Sequence, residues 1–346
     1  MENHKTRKGI IPEMPSASRK FGRYKGEREA PARGSAVEES EGFRAIMEAW
    51  IKIVDFSDIR QLFHDITNPG YYTREFINGR KYSAQDVTKF SMSLGAFQGE
   101  EAFPAAGRFL TVLANEGDDN EYFFCLRGIT REIELLGFEN RKIIEIEGDC
   151  GDWLGYQMRS GSITVGGSCG NYAGREMSGG KLALKGNANR CCGERMRGGE
   201  LIVEGDVEHF LGTFMHNGTI EVRGSAGKCA GGGMRDGKIV IYGDAGDYLG
   251  SEETFKGGGG VLQNPVFGWS NPFIDRNPWM PSHMSKDDDW SRLMKGGELI
   301  VHGDCGEKVG NGIKGGIIRL EGEYKSLGTG IKGKIYHKGN LVAGVE

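Results

Sequence analysis

The chain has 346 residues, with 44 Lys and Arg against 48 Asp and Glu and a formal net charge of -4. So small a charge argues against a protein built as a whole to hold a polyanion, and no run approaches the ~18 apolar residues of a membrane span. The 58 glycines against 9 prolines exclude collagen and a Pro/Gly-rich disordered chain, leaving a regular architecture that needs glycine.

The N-terminus, MENHKTRKGIIPEMPS, carries charge but no apolar core of signal-peptide length, so a cytoplasmic location with reduced cysteines is expected. Residues 1–40 hold nine Lys or Arg against six Asp or Glu and little apolar periodicity, which predicts a flexible basic tail. Phe43, Ile46, Met47, Trp50, Ile51 and Val54 follow one helical face. A second helix is predicted from Ser83, with Asp86 three residues on. A third, PAAGRFLTVLANEG, has Pro104 in its first turn and Gly117 past its end, and EYFFCL follows as a strand. Residues 41–141 therefore read as a small α+β domain.

Beyond it the chain repeats. Gly148, Gly167, Gly186, Gly205, Gly224 and Gly243 are nineteen residues apart, as are Gly155, Gly174, Gly193, Gly212, Gly231 and Gly250. Gly161, Gly180, Gly199, Gly218 and Gly237 form a third ladder, and Met158, Met177, Met196, Met215 and Met234 a fourth. Between them stand apolar pairs at alternate positions, Ile163/Val165, Leu182/Leu184, Leu201/Val203, Ile220/Val222 and Ile239/Ile241, each a short strand with one face inward. The register breaks after Gly250 and resumes at Met294, an insertion of 41 residues, and a last shortened coil starts at Gly322. This predicts a mainly β fold: a parallel β-helix of about eight 19-residue coils over 142–346, with a loop inserted at 251–293. Glycine serves the corners through φ > 0 and through close stacking of coils, while Met and the aliphatic pairs fill the interior.

Several motifs are weaker than they look. Gly310–Gly315 and Gly328–Gly333 both match G-x-G-x-x-G, but fall in the corner register with no βαβ unit around them, so no dinucleotide site is assigned. A nineteen-residue period does not fit nonapeptide calcium repeats. Cys150, Cys169 and Cys305 share one register, Cys191 and Cys229 another, and Cys192 belongs with Leu154, Ala173 and Leu211. Without a C-x-x-C or a histidine pair they read as core residues, not metal ligands. No catalytic, cofactor-binding or metal-binding residue is assigned.

One row exceeds what a column needs. Directly after the Met positions stand Arg159, Ser178, Arg197, His216, Arg235, Lys295, Lys314 and Lys332. Like charges ~5 Å apart repel by nearly 1 kcal/mol per neighbour even in water, so the row suits an anionic partner. The alternatives are neutralisation by the acidic row Asp149, Asp206, Asp244, Asp304 and Glu323, or solvation of splayed side chains. The insertion concentrates Trp269, Trp279 and Trp290 with four prolines, typical of a docking loop and equally of a flap on the column's own flank.

The pattern G-D-x-G-x-x-x-G-x-x-M-x-G-G-x-I-x-V, as in GDCGDWLGYQMRSGSITV and GNANRCCGERMRGGELIV, resembles the GXGXG-domain family over about residues 142–339. That family includes the C subunit of formylmethanofuran dehydrogenase and the C-terminal domain of the glutamate synthase large subunit. The resemblance implies a right-handed parallel β-helix, acting as a scaffold that holds catalytic subunits together without catalytic residues or cofactors of its own. The interruption followed by renewed coils looks more like the formylmethanofuran dehydrogenase subunit, whereas residues 1–141 match neither. The expected function is thus a scaffold subunit of an oxidoreductase complex, with no nucleic acid or membrane partner. The alternatives are a glutamate synthase-like module working with amidotransferase and flavin subunits, or a free-standing protein that binds an anionic ligand.

Overall fold

The computed structural model describes residues 39–54, 71–99, 103–130, 132–251 and 293–344. Four α-helices come first: α1 (Glu41–Val54), α2 (Tyr71–Ile77), α3 (Ala84–Ser93) and α4 (Ala106–Glu116). Eleven strands follow: β1 (Glu121–Cys125), β2 (Ile143–Glu147), β3 (Ser162–Val165), β4 (Lys181–Leu184), β5 (Glu200–Val203), β6 (Thr219–Val222), β7 (Lys238–Ile241), β8 (Glu298–Val301), β9 (Ile317–Leu320), β10 (Lys334–His337) and β11 (Asn340–Ala343). They form one sheet in chain order. Every pair from β1 to β10 is parallel, whereas β11 folds back antiparallel on β10. The result is a parallel β-solenoid of about nine turns.

The predicted pairs behave as predicted. In β3 to β9 the second and fourth residues are buried and the others are not, and the five methionines are fully buried. Each Met methyl fills the space a side chain on the next coil's corner glycine would need: Met177 Cε would lie 2.8 Å from a Cβ at Gly199. Strand β7 pairs directly with β8, so the column continues across the insertion, which itself lies outside the described residues apart from Ser251 and Leu293.

The two reasons for glycine separate by ladder. Gly155, Gly174, Gly193, Gly212, Gly231, Gly250 and Gly310 have φ between +60° and +73°, a region costly for residues with a Cβ. The ladder from Gly167 to Gly303 needs no positive φ. There the next coil is too close: a Cβ at Gly205 would lie 2.7 Å from the Gly186 carbonyl oxygen and closer still to Asn187 Oδ1. That oxygen is one link of a relay. Asp149 accepts from the Ser168 amide, Ser168 from Asn187, Asn187 from Asp206, Asp206 from Ser225, Ser225 from Asp244, Asp244 from Asp304 and Asp304 from Glu323, at 2.7 to 3.1 Å. The Gly-Asp corner therefore needs both residues: a short acceptor that reaches up one coil, and a bare Cα that lets it pass.

The turn count corrects the expected eight. Strand β1, expected in a separate α+β domain, pairs with β2, and one hydrophobic core runs from Phe43 to Ile335. The boundary drawn at 141 thus falls inside the sheet. Residues 132–142 complete this first turn with Leu135, Gly137 and Glu139 at positive φ; the Gly137 amide side of the coil meets the next one through the Gly155 amide, which donates to Leu136 O at 2.8 Å. This turn lacks the Gly-Asp corner, and α4 rather than another coil packs against it, the Gly137 amide donating to the Thr111 hydroxyl at 2.7 Å.

Those helices act as a cap. The Ser91 hydroxyl accepts from the Cys125 amide at 2.9 Å and the Thr88 hydroxyl donates to Phe123 O at 2.8 Å, so α3 covers the free edge of β1. It starts as expected, with Ser83 and Asp86 forming a capping box. The face of α1 differs from its reading: Ala49 and Ile53 are buried while Ile51 is 47% exposed. Pro104 lies in a 3-10 turn, Phe103–Ala105, ahead of α4. Gly117 ends α4 with φ -75°; its Cβ would strike Tyr122 Oη. At the other end Lys338 and Gly339, both at positive φ, turn β10 into β11 and close the column. The expected tail, residues 1–40, lies outside the described residues but for Glu39 and Ser40.

Candidate docking face

The basic row is continuous in space. The amides of Ser178, Arg197, His216, Arg235, Lys295 and Lys314 donate to the carbonyls of Met158, Met177, Met196, Met215, Met234 and Met294, one coil below each, at 2.7 to 2.9 Å, and Lys332 donates to Ile313 O. Arg235 and Lys295, sixty residues apart in sequence, are thereby neighbours. All but Lys295 are exposed, and Lys295 is half-buried. Arg159, at the row's lower end, is held by Glu139. Trp269, Trp279 and Trp290 lie outside the described residues.

Neighbouring rows show where the opposing charges go. In the acidic row Asp149, Asp206, Asp244 and Asp304 accept from backbone amides, as described above, and Glu323 pairs with Lys338. At the strand starts, Lys181 pairs with Glu200 at 3.1 Å and Lys238 with Glu298 at 3.7 Å, so that row largely neutralises itself. Glycine follows the row at Gly179, Gly198, Gly296, Gly315 and Gly333, whereas exposed Ser160, Asn217 and Asp236 follow Arg159, His216 and Arg235.

A second charged cluster was not anticipated. Arg175 and Glu176 on one coil face Glu194 and Arg195 on the next, in reversed order. Arg175 lies 3.7 Å from Glu176 and 3.6 Å from Glu194, and Arg195 lies 3.9 Å from Glu176 and 3.7 Å from Glu194. The Arg175 guanidinium also sits over the rings of Trp153 and Tyr172, at 5.0 and 5.4 Å, which stack on one another with centroids 4.4 Å apart. Burial would lower the Arg175 pKa, but Glu194 and Glu176 outweigh it and hold the guanidinium charged. Burial, with Glu176 beside it, pushes the Tyr156 phenol up to about 12. The signal was present as GREM followed one repeat later by GERM. Reading the rows only for like charges passed over it.

The cysteines occupy the interior registers expected of them. Six of the seven are buried, and Cys125 is half-buried. Cys169, Ala188, Val207, Ala226, Ala245, Cys305 and Tyr324 form a ladder of single parallel bridges at one corner. Burial pushes the Cys169 and Cys305 thiols up to about 12, and Cys150 and Cys192 well above the usual thiol value. Among the described residues no group of three or more His, Cys, Asp or Glu is placed to hold a metal ion. Both G-x-G-x-x-G matches lead into strands, β9 and β10, so neither has the helix that a pyrophosphate site requires. Among the described residues no helix is long and apolar enough to cross a membrane. No family model matches the chain, and no curated protein matches it in sequence.

Proposed function

We propose that the protein is a non-catalytic scaffold subunit of a cytoplasmic oxidoreductase complex, resembling the formylmethanofuran dehydrogenase C subunit, with a right-handed column. The observation that carries the reading is the row Arg197, His216, Arg235, Lys295, Lys314 and Lys332, stacked coil on coil along the outside of a column whose core and corners do not require it. The coil pattern supports the family likeness. The lack of an assigned nucleophile or cofactor loop fits a subunit that positions other subunits.

Charge reversal tests it. Arg197→Glu with Arg235→Glu, or Trp269→Ala with Trp279→Ala, abolishes co-purification of the native companions. The melting temperature stays nearly unchanged for the arginine pair, because exposed substitutions usually cost within about 0.5 kcal/mol. Variants that unfold, or that keep their companions, overturn the docking reading. Companions identified as amidotransferase and flavin subunits would move the assignment to the glutamate synthase-like module. Capture of no protein at all would favour an anionic ligand.

A further inference from the structure

We propose that His209 is a proton-sensitive link between two coils: neutral, it holds the amide of Lys228 on the coil above, and on gaining a proton it lets that amide go. The inference is independent of the docking reading and concerns the stacking of the column itself.

Three residues past the Gly-Asp corner the column carries a second relay. Asp152 accepts from the Asn171 amide at 2.6 Å, Asn171 from Arg190 at 3.2 Å, His209 from Lys228 at 3.0 Å and Asp247 from Glu307 at 2.8 Å. These residues share one register of the repeat, each acceptor lying one coil below the amide it receives. In three of the four links a bare Cα again lets the acceptor pass. A Cβ at Gly170 would strike Asp152 Oδ1, one at Gly227 would strike His209 Nδ1, and one at Gly306 would strike Asp247 Oδ1. The imidazole is thus a built member of the relay.

Of the acceptors in this register His209 alone is an imidazole, the side chain whose charge ordinarily changes between pH 5 and 8. An imidazole nitrogen accepts only while it lacks a proton, so Nδ1 is bare and the ring proton sits on Nε2. A second proton goes to Nδ1, which then meets the Lys228 N–H as donor against donor. The surroundings oppose that proton. Arg190 below and Lys228 above occupy the same register, which makes an imidazolium the middle of three stacked cations. The acids beside it are engaged: Glu208 pairs with Arg190 at 3.1 Å and Asp247 with Lys228 at 3.1 Å. Phe210 stands edge-on to the ring, with centroids 6.3 Å apart. Half-burial, and after it Arg190, hold the His209 pKa below its usual value against the opposing pull of Glu208. The link is therefore complete above the unfolded imidazole value, ~6.5, and is lost as pH falls through the lower folded value.

The test reads the Lys228 amide by hydrogen exchange in the full chain, with rates corrected for the intrinsic effect of pH. Between pH 7.5 and 5.5 its protection falls at least about threefold as the open corner takes up one proton, while the Arg190 amide, held by Asn171, keeps its protection. His209→Asn supplies the acceptor that Asn171 already provides in this register and does not titrate, so the Lys228 amide stays protected and its pH dependence disappears. A nitrogen-15 spectrum of the histidines at pH 7.5 shows the His209 proton on Nε2. Equal protection of Lys228 at both pH values, an equal fall at Arg190, a fall that persists in His209→Asn, or a proton on Nδ1 overturns the proposal. Should the variant fail to fold, as its melting temperature would show, the wild-type exchange and the tautomer still decide.

Discussion

Gly205→Ala isolates the role of the Gly-Asp corner. Gly205 needs no left-handed backbone, so any cost of the added methyl comes from space. The Cβ would lie 2.7 Å from the Gly186 carbonyl oxygen, 2.8 Å from its carbonyl carbon, and closer to Asn187 Oδ1. The two backbone atoms belong to the stacked coil and cannot rotate away. If Asn187 swings aside, it gives up the bond it accepts from the Asp206 amide at 2.8 Å, worth about 1 kcal/mol. Forcing the coils apart adds the usual overpacking cost of about 1–3 kcal/mol, so the substitution destabilises by about 2–4 kcal/mol. Gly95→Ala is the control: an added Cβ there meets nothing within 4 Å, and the change is neutral or stabilising by up to about 1 kcal/mol. Urea unfolding followed by far-UV circular dichroism, with hydrogen exchange at the Asp206 amide, measures both. A Gly205→Ala protein within about 0.5 kcal/mol of wild type, with that amide still protected, would show that the corner has room and the stacking argument is wrong.

Asp206→Ala removes the acceptor for the Ser225 amide, held at 2.7 Å, and costs about 1 kcal/mol, most of it restored by Asp206→Asn; exchange at Ser225 reads the difference. Arg175→Ala destabilises by about 1–3 kcal/mol through lost ion pairs and ring packing, with its partial exposure screening the charge term, and Arg175→Lys does not rescue it; thermal melts of both variants check this. At pH 8 a thiol reagent titrates one fast cysteine, Cys125, and all seven only after denaturation; several fast thiols, or one that survives Cys125→Ser, would contradict the burial of the rest. Burial would raise the Asp86 pKa, but bonds from Ser40 and Ser83 outweigh it and lower it. Its contribution is therefore present above the unfolded carboxyl value, ~3.9, and lost as pH falls through the lower folded value. Asp86→Asn accordingly weakens the helical cap at pH 7 and flattens its acid dependence below about pH 4, as read from native-state exchange in α3.

The sequence by itself determined the column. Each coil rests on the one nineteen residues before it, so a side chain that suits its place recurs at that step, and Met158 to Met234 or Ile163 to Ile241 announce their stacking without any knowledge of the fold. The basic row and the interior cysteines were legible for the same reason. Where contacts are not periodic, the reading failed. EYFFCL looks the same whether it closes a separate domain or starts the sheet, and only its pairing with β2 decides; the GREM and GERM charges acquire meaning only when adjacent coils face them toward one another. The glycines carried a subtler ambiguity, since one letter serves both a positive φ and a close approach. Gly155 at φ +64° and Gly205 above the Asn187 side chain are indistinguishable in sequence. Backbone angle and the distance to the neighbouring coil belong to the stacked structure, where alone the two reasons separate.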